Sequence, residues 1–296
     1  MSAPPVEQLR LGDHVCWTFD DDDERLAAMA RLVAVGIHDS HKVLYLTGPM
    51  RPDALLDTLD ARGVPTGKAL DDGQLAVRPA DEVYLAHGEF DPDSTLGALR
   101  EQVSLARDEG WKGLRLVKDM AWALRLEPGA DTLTTYEAHA NRLVIDGGAM
   151  AVCQYDRRLF PDAELRRVAS AHPASALANA GPDWRPALRM RRTHDPLGLA
   201  VTGEADISNR HAFAAVLGAL LDDVRDTDQP IVIDLSGLMF ADSATAGLLV
   251  RAAQTATAGI RLVGCGPSIG RLLAVLGAGH VPGLTIEQPG AQGVRA

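Results

Sequence analysis

The sequence predicts an α/β protein in two parts, a larger N-terminal domain with a mostly parallel sheet covered by helices on both faces and a smaller C-terminal α/β domain. Three observations predict it. Short apolar strand-like segments alternate with amphipathic helical stripes along the chain, and strands separated by whole helices need crossovers and therefore lie parallel. The alternation breaks across 172–186, HPASALANAGPDWRP, where three prolines and several small residues replace the periodic apolar positions. The chain of 296 residues is 46% apolar and 23% charged, enough to bury two ordinary cores.

In the first part the strand-like segments are HVCWTF (14–19), VLYL (43–46), LAVR (75–78), LRLV (114–117) and MAVCQY (150–155). Between them Leu26, Met29, Ala30, Val33 and Ile37 form one helical stripe, and Leu133, Tyr136, Ala140 and Leu143 another. The expected boundaries are 9–178 for the first domain, a linker over 179–186, and 187–290 for the second. Past the linker, ALRMRRT and LGLAVTGE flank HDP as a hairpin candidate. A helix then carries Phe213, Val216, Leu217, Leu220, Leu221 and Val224 on one stripe. IVIDLSGL is a strand, 243–258 a helix, IRLVGC a strand, and 268–277 a helix with Ile269, Leu272, Leu273 and Leu276 inward. Pro267 suits its start, and Gly277 and Gly279 its end.

Charge and cysteine content narrow the function. From 186 onward there are 9 basic against 10 acidic residues, leaving 20 against 30 before it, so most of the net charge of −11 lies in the first part. Nucleic-acid binding needs a cationic surface to exchange for counterions, so direct DNA or RNA contact is not expected. Cys16, Cys153 and Cys265 are an odd number at wide spacing, and the start MSAPPVEQLR lacks a signal peptide's apolar stretch. A reduced cytoplasm is expected, and no segment reaches the ~20 apolar residues that span a bilayer.

Each chemically interesting group has a plain alternative. The strand-to-helix turn TGPMRPDALL lacks the Lys and Ser/Thr of a phosphate loop, so Asp119 at the end of LRLVKD has no nucleotide to serve and is expected to be solvated or paired with Lys118. His14 and Cys16 of GDHVCW share one strand face and, with Cys153, could make a soft metal site. No CxxC or HxxxH pair supports that, so packing is the preferred reading, with no metal or cofactor expected. The DDDDE run, 20–24, is read as a capping acidic helix start. Glu137 and Asn141 could hydrogen-bond a ligand or form an exposed polar face. Asp242 and Ser243 stand where the strand IVIDLSGL gives way to a helix, and either would cap it.

The ordered motifs GDHVCW, KVLYLTG, GWKGLRLVKDMAW, YEAHAN and AVCQYDRRLFP resemble the MEDS sensory domain of bacterial regulators over roughly 9–185. Such domains are similar to degenerate RecA/KaiC-type ATPases and are thought to sense small molecules. The resemblance makes His14, Cys16, Trp17, Asp119, Trp122, Glu137 and Cys153 candidate ligand-binding residues. The family often has Glu-Met before its Trp, whereas Asp119-Met120-Ala121-Trp122 stands here.

LAVTGEAD (199–206), IVIDLSGLMFADSATAG (231–247) and GIRLVGC (259–265) resemble STAS domains of the anti-sigma-factor antagonist type. That resemblance implies Ser243 as phospho-acceptor, and Asp206, Asp242, Ser243, Thr245 and Gly247 as partner-binding positions. The partner it implies is an anti-sigma factor that is also an ATP-binding serine kinase. Family members commonly continue with Ser or Thr and then Gly, where this chain has Ala244 and Thr245. The expected function is non-enzymatic signalling, with a sensory domain coupled to an antagonist. The alternatives are a STAS scaffold or homodimerisation module, and a degenerate nucleotide-binding enzyme.

Overall fold

The computed structural model describes residues 8–86, 88–127, 131–177, 180–181, 183–224 and 229–287. The chain divides into two compact units, 1–186 and 187–296. Residues 178, 179 and 182, at the predicted linker, and 288–290, at the end of the predicted second domain, lie outside the described residues.

The first unit holds a six-stranded, all-parallel sheet built from β1 (His14–Phe19), β2 (Lys42–Thr47), β3 (Leu75–Pro79), β4 (Leu114–Asp119), β5 (Ala149–Asp156) and β6 (Ala174–Leu177). Their order is β3-β2-β4-β5-β1-β6. Successive strand side chains point to opposite faces, which splits the core in two. On one face Val15, Trp17, Tyr45 and Val152 pack under α1 (Asp22–His38), α2 (Pro52–Ala61) and α3 (Thr66–Asp71). On the other, Cys16, Leu46, Leu116 and Tyr155 pack under α4 (Ala80–Tyr84), α5 (Pro92–Asp108), α6 (Thr132–Ala140) and α7 (Asp162–Ser170).

Local chemistry sets the helix starts. Asp21 caps α1 by accepting from the Glu24 N–H at 2.9 Å, and Asp22, Asp23 and Glu24 fill its electropositive first turn. Pro52 opens α2, and Asp91 caps α5 by accepting from Asp93 and Ser94. The composition break at 172–186 is not all connection, because Ala174–Leu177 is the edge strand β6, paired with β1. Four residues containing only Ala, Ser and Leu give too little apolar signal to stand out beside three prolines.

The second unit is a five-stranded sheet ordered β11-β10-β9-β8-β7. β7 (Leu188–His194) and β8 (Leu197–Ala205) form the antiparallel hairpin, and β9 (Ile231–Ala241), β10 (Ile260–Val263) and β11 (Leu284–Ile286) add in parallel. A side chain at Gly198 would collide with the Val232 carbonyl, so glycine permits the close approach of β8 to β9. α8 (Arg210–Asp223) buries Phe213, Val216, Leu217 and Leu220, and α9 (Ser243–Thr255) buries Leu249 and Val250. α10 (Pro267–Val275) buries Ile269 and Leu273, with Leu272 and Leu276 half-buried, and Gly277 follows at φ 80°. α9 stops three residues before the predicted end at 258. Among the described residues no helix is long and apolar enough to cross a membrane.

Candidate functional site

Beneath α6 and α7 the first unit encloses a polar cluster. His14 opens β1, Cys153 lies on the neighbouring β5, Glu137 is on α6, and His172 follows the end of α7. All four side chains are fully buried or nearly so. His14 Nε2 lies 3.2 Å from Cys153 Sγ and 3.2 Å from Glu137 Oε2. Glu137 Oε2 is also 3.6 Å from both Cys153 Sγ and His172 Nε2. The two imidazole rings are 4.2 Å apart.

Each of these groups is held from outside the cluster. Asn141 Nδ2 donates to the carbonyls of Ala138 and Ala171, which turns its Oδ1 toward His14 Nδ1 at 3.1 Å. His172 Nδ1 donates to the Val168 carbonyl at 2.7 Å, and its buried Nε2 has no hydrogen-bond partner among the described residues. The Tyr155 hydroxyl donates to Glu137 Oε1 at 3.0 Å, and Lys118 Nζ lies 3.4 Å from Oε2.

Burial sets most of the electrostatics. It lowers His14, and together with the neighbouring His14 ring it takes His172 down to about 3, so both rings are neutral. It also pushes the Cys153 thiol well up. Burial opposes the charged forms of Glu137 and Lys118 as well. Lys118 and His14 nevertheless hold Glu137 below the usual carboxylate range, and Cys153 and Glu137 hold Lys118 high.

At the carboxyl end of the sheet Asp119 is nearly buried. It accepts from the Ala121 N–H at 3.0 Å and lies 3.6 Å from Arg25 Nη1. Burial raises its pKa. A side chain at Gly48 would run into the Asp119 carboxylate. The predicted pairing of Asp119 with Lys118 does not form, since neighbours on a strand face opposite ways and Lys118 turns to Glu137. Both strand-to-helix turns on this edge discourage a phosphate. The acids at 21–24 occupy the start of α1, and Pro52 removes a donor from the start of α2.

Trp122 stacks on Tyr84, with ring centroids 4.1 Å apart and planes 11° apart, and Phe90 and Tyr136 complete the aromatic group. Beside it a cleft of about 180 Å³ is lined by Arg78, Glu82, Tyr84, Asp91, Ser94 and Gln102, among others.

In the second unit the end of β9 meets α9 at Asp242. Its Oδ1 accepts from the Thr245 N–H at 2.7 Å and its Oδ2 from Arg210 at 2.6 Å. Burial would raise the Asp242 carboxyl, but these partners hold it below its ordinary value. Asp242 is therefore the cap, and Ser243 is exposed as the first helical residue. Its hydroxyl has no hydrogen-bond partner among the described residues. Asp206 sits on the adjacent β8–α8 turn, accepting from Ser208, and the Asp242 N–H donates to the Ala205 carbonyl. Ile207, Met239 and Phe240, large and apolar, are exposed on the same two segments.

Residues 13–173 match the family model described as MEDS, the methanogen/methylotroph, DcmR sensory domain. The chain belongs to the MEDS family. Residues 188–286 match a second model, described as Mlab, STAS domain, so a MEDS domain is followed by a STAS domain. The pairing marks a signalling or regulatory protein. No curated protein matches the chain significantly. Among solved structures, a KaiC-like protein from Pyrococcus horikoshii is similar at 16% identity over 65% of this chain and 78% of its own, with a TM-score of 0.41. The flagellar accessory protein FlaH from Methanocaldococcus jannaschii is similar at 11% identity over 69% and 82%, with a TM-score of 0.42.

Of the candidate MEDS residues, the fold joins His14, Glu137 and Cys153. Cys16 is level with Cys153 on the adjacent strand but outside the four-atom group. Trp17 points to the opposite face, and Asp119 and Trp122 belong to the separate places described above. Glu137 and Asn141 do not form an exposed polar face, since both are fully buried between α6 and the sheet. His172 was not anticipated, because it opens the segment that reads as connection. In the STAS domain Thr245 is 1% exposed and Gly247 is buried, so neither offers a surface to a partner. The start of α9 is covered on more than one side, since Thr245, Ala246 and Gly247 are all buried, leaving Asp206, Asp242 and Ser243 outside.

Proposed function

We propose that the MEDS domain detects a small molecule and that the STAS domain acts as an anti-sigma-factor antagonist, controlled by phosphorylation of Ser243. The partner is an anti-sigma factor that is also an ATP-dependent serine kinase, and its capture changes transcription without direct DNA contact. The observation that carries this reading is the division of labour at the β9–α9 turn. Asp242 does the capping, so Ser243 presents a free hydroxyl beside two acids and three exposed apolar side chains. A phosphoryl group there adds about −1.5 to −2 charges at a helix N-terminus, which tolerates anions. A partner docked on Ile207, Met239 and Phe240 meets that charge next to Asp206 and Asp242, so binding is lost while the domain stays folded.

The protein acts by binding rather than by catalysis. The acidic start of α1 and the proline start of α2 support this, because they disfavour a nucleotide phosphate at the sheet edge. Three free, buried cysteines fit a reducing cytoplasm. The cleft of about 180 Å³ lined by Tyr84 and polar side chains is the place the MEDS domain offers a small ligand.

The test is an affinity capture from a cytoplasmic extract with the full chain as wild type, Ser243→Ala and Ser243→Asp. Wild type and Ser243→Ala should retain an ATP-binding kinase-like protein, and Ser243→Asp should release it. Incubation of wild type with that protein and ATP should place phosphate on Ser243, read by mass spectrometry. Equal capture by all three forms, with no phosphate on Ser243, would refute the switch.

A further inference from the structure

We propose that His14, Glu137, Cys153 and His172 form a binding site for a zinc-class divalent cation inside the MEDS domain. This goes beyond the reading of Ser243 and does not rest on it.

Geometry makes the first case. Each residue offers one ligand atom, and the four atoms lie within 4.8 Å of one another. A tetrahedral ion with bonds of about 2.0–2.3 Å separates its ligands by about 3.3–3.8 Å. The distances through Glu137 and His14 are 3.2, 3.2, 3.6 and 3.6 Å, already close to those edges. Two imidazoles, a thiol and a carboxylate suit zinc, whereas magnesium and calcium prefer oxygen alone.

Counting protons makes the second. His14 Nδ1 faces the oxygen of Asn141, whose amide nitrogen is committed to backbone carbonyls, so Nδ1 carries the hydrogen and Nε2 a lone pair. His172 Nδ1 faces the Val168 carbonyl, so it too is protonated there and its Nε2 is a lone pair. The two nitrogens lie 3.2 and 3.6 Å from Oε2 of the Glu137 carboxylate. Among the described residues the protons facing these three acceptors belong to the Cys153 thiol, Lys118 and, at the far oxygen of Glu137, the Tyr155 hydroxyl. Among the described residues His172 Nε2 is left with no donor although it is fully buried. A hydrogen-bonded cluster leaves such an atom unsatisfied, and a cation satisfies it. Binding forms a metal–sulfur bond and releases one proton from the Cys153 thiol.

The surrounding contacts fit the assignment. Asn141 orients His14, the Val168 carbonyl orients His172, and Tyr155 holds the far oxygen of Glu137. Metal-binding histidines ordinarily donate their other ring N–H to such partners. The ion would join β1, β5, α6 and the chain just past α7, next to residue 173 where the MEDS match ends.

The probe is Co²⁺, followed by Zn²⁺, added to the purified full chain after chelator treatment and desalting. Wild type should develop a thiolate-to-cobalt band in the near ultraviolet and strong visible bands of a four-coordinate ion. The bands should saturate at one equivalent and bleach with Zn²⁺. Zn²⁺ but not Mg²⁺ should raise the thermal midpoint. Cys153→Ser should lose the near-ultraviolet band, His172→Gln should weaken binding by about tenfold or more, and Cys16→Ser should keep both properties. A folded wild-type chain with no cobalt spectrum and no zinc-dependent shift overturns the proposal, whatever the variants do. So does a band that survives in Cys153→Ser.

Discussion

In the MEDS domain the chemically active side chains are sealed between α6, α7 and the sheet, each fixed by neighbours. In the STAS domain the serine of interest stands in solvent, and the acid beside it carries the structural duty. A buried polar cluster can change state only with its whole surroundings, whereas an exposed helix start can take a new charge at little cost to the fold. The same residue chemistry therefore has large structural consequences in one domain and small ones in the other.

Substitutions can break or sharpen that contrast. The largest effect should come from Glu137→Ala, which strands the buried Lys118 charge and removes the acceptor of Tyr155. Denaturant melts should show a loss of about 3–5 kcal/mol, confined to the MEDS transition. Asn141→Leu keeps the volume but takes the side-chain partner from His14 Nδ1 and from three backbone carbonyls, and should cost about 1–3 kcal/mol. In the STAS domain Asp242→Ala removes the cap and the Arg210 contact, for about 1–2 kcal/mol in the same measurement. Ser243→Ala should change stability by about 0.5 kcal/mol or less. A loss near that of Asp242→Ala would show that Ser243 shares the cap, and the contrast would fail.

Much of the fold was legible because its signals are local. HVCWTF spans β1 end to end, and the stripe from Phe213 to Leu220 is the buried face of α8. β6 and α5 were not legible. The first is four small residues in a proline-rich stretch, and the second buries only Thr95, Leu96, Leu99 and Ala106, too few for a clear apolar stripe, so that Asp91-Pro92 at its start is its main signal. At the buried cluster the sequence offered His14, Cys16 and Cys153 as a soft metal site only as the lesser reading, behind plain packing. Strand alternation places Cys16 on the correct face, yet only the positions of α6 and α7 decide which side chains reach His14. For Glu137 the sequence left a ligand contact and a wet helix face equally open, because polar residues four apart suit both, while α6 is covered on nearly all sides. At the STAS turn the sequence located Asp242 and Ser243 but left open which of them caps, and backbone geometry decides that.

The strand order also governs how the protein can be made. β1 lies between β5 and β6, the last two strands of its sheet, and pairs with both. As the chain leaves the ribosome, the segment carrying His14 must wait without either neighbour until more than a hundred further residues have been added. Such distant pairing makes for slow closure. Synthesis halted before β6 leaves an apolar central strand with one edge open, a species that invites aggregation and degradation.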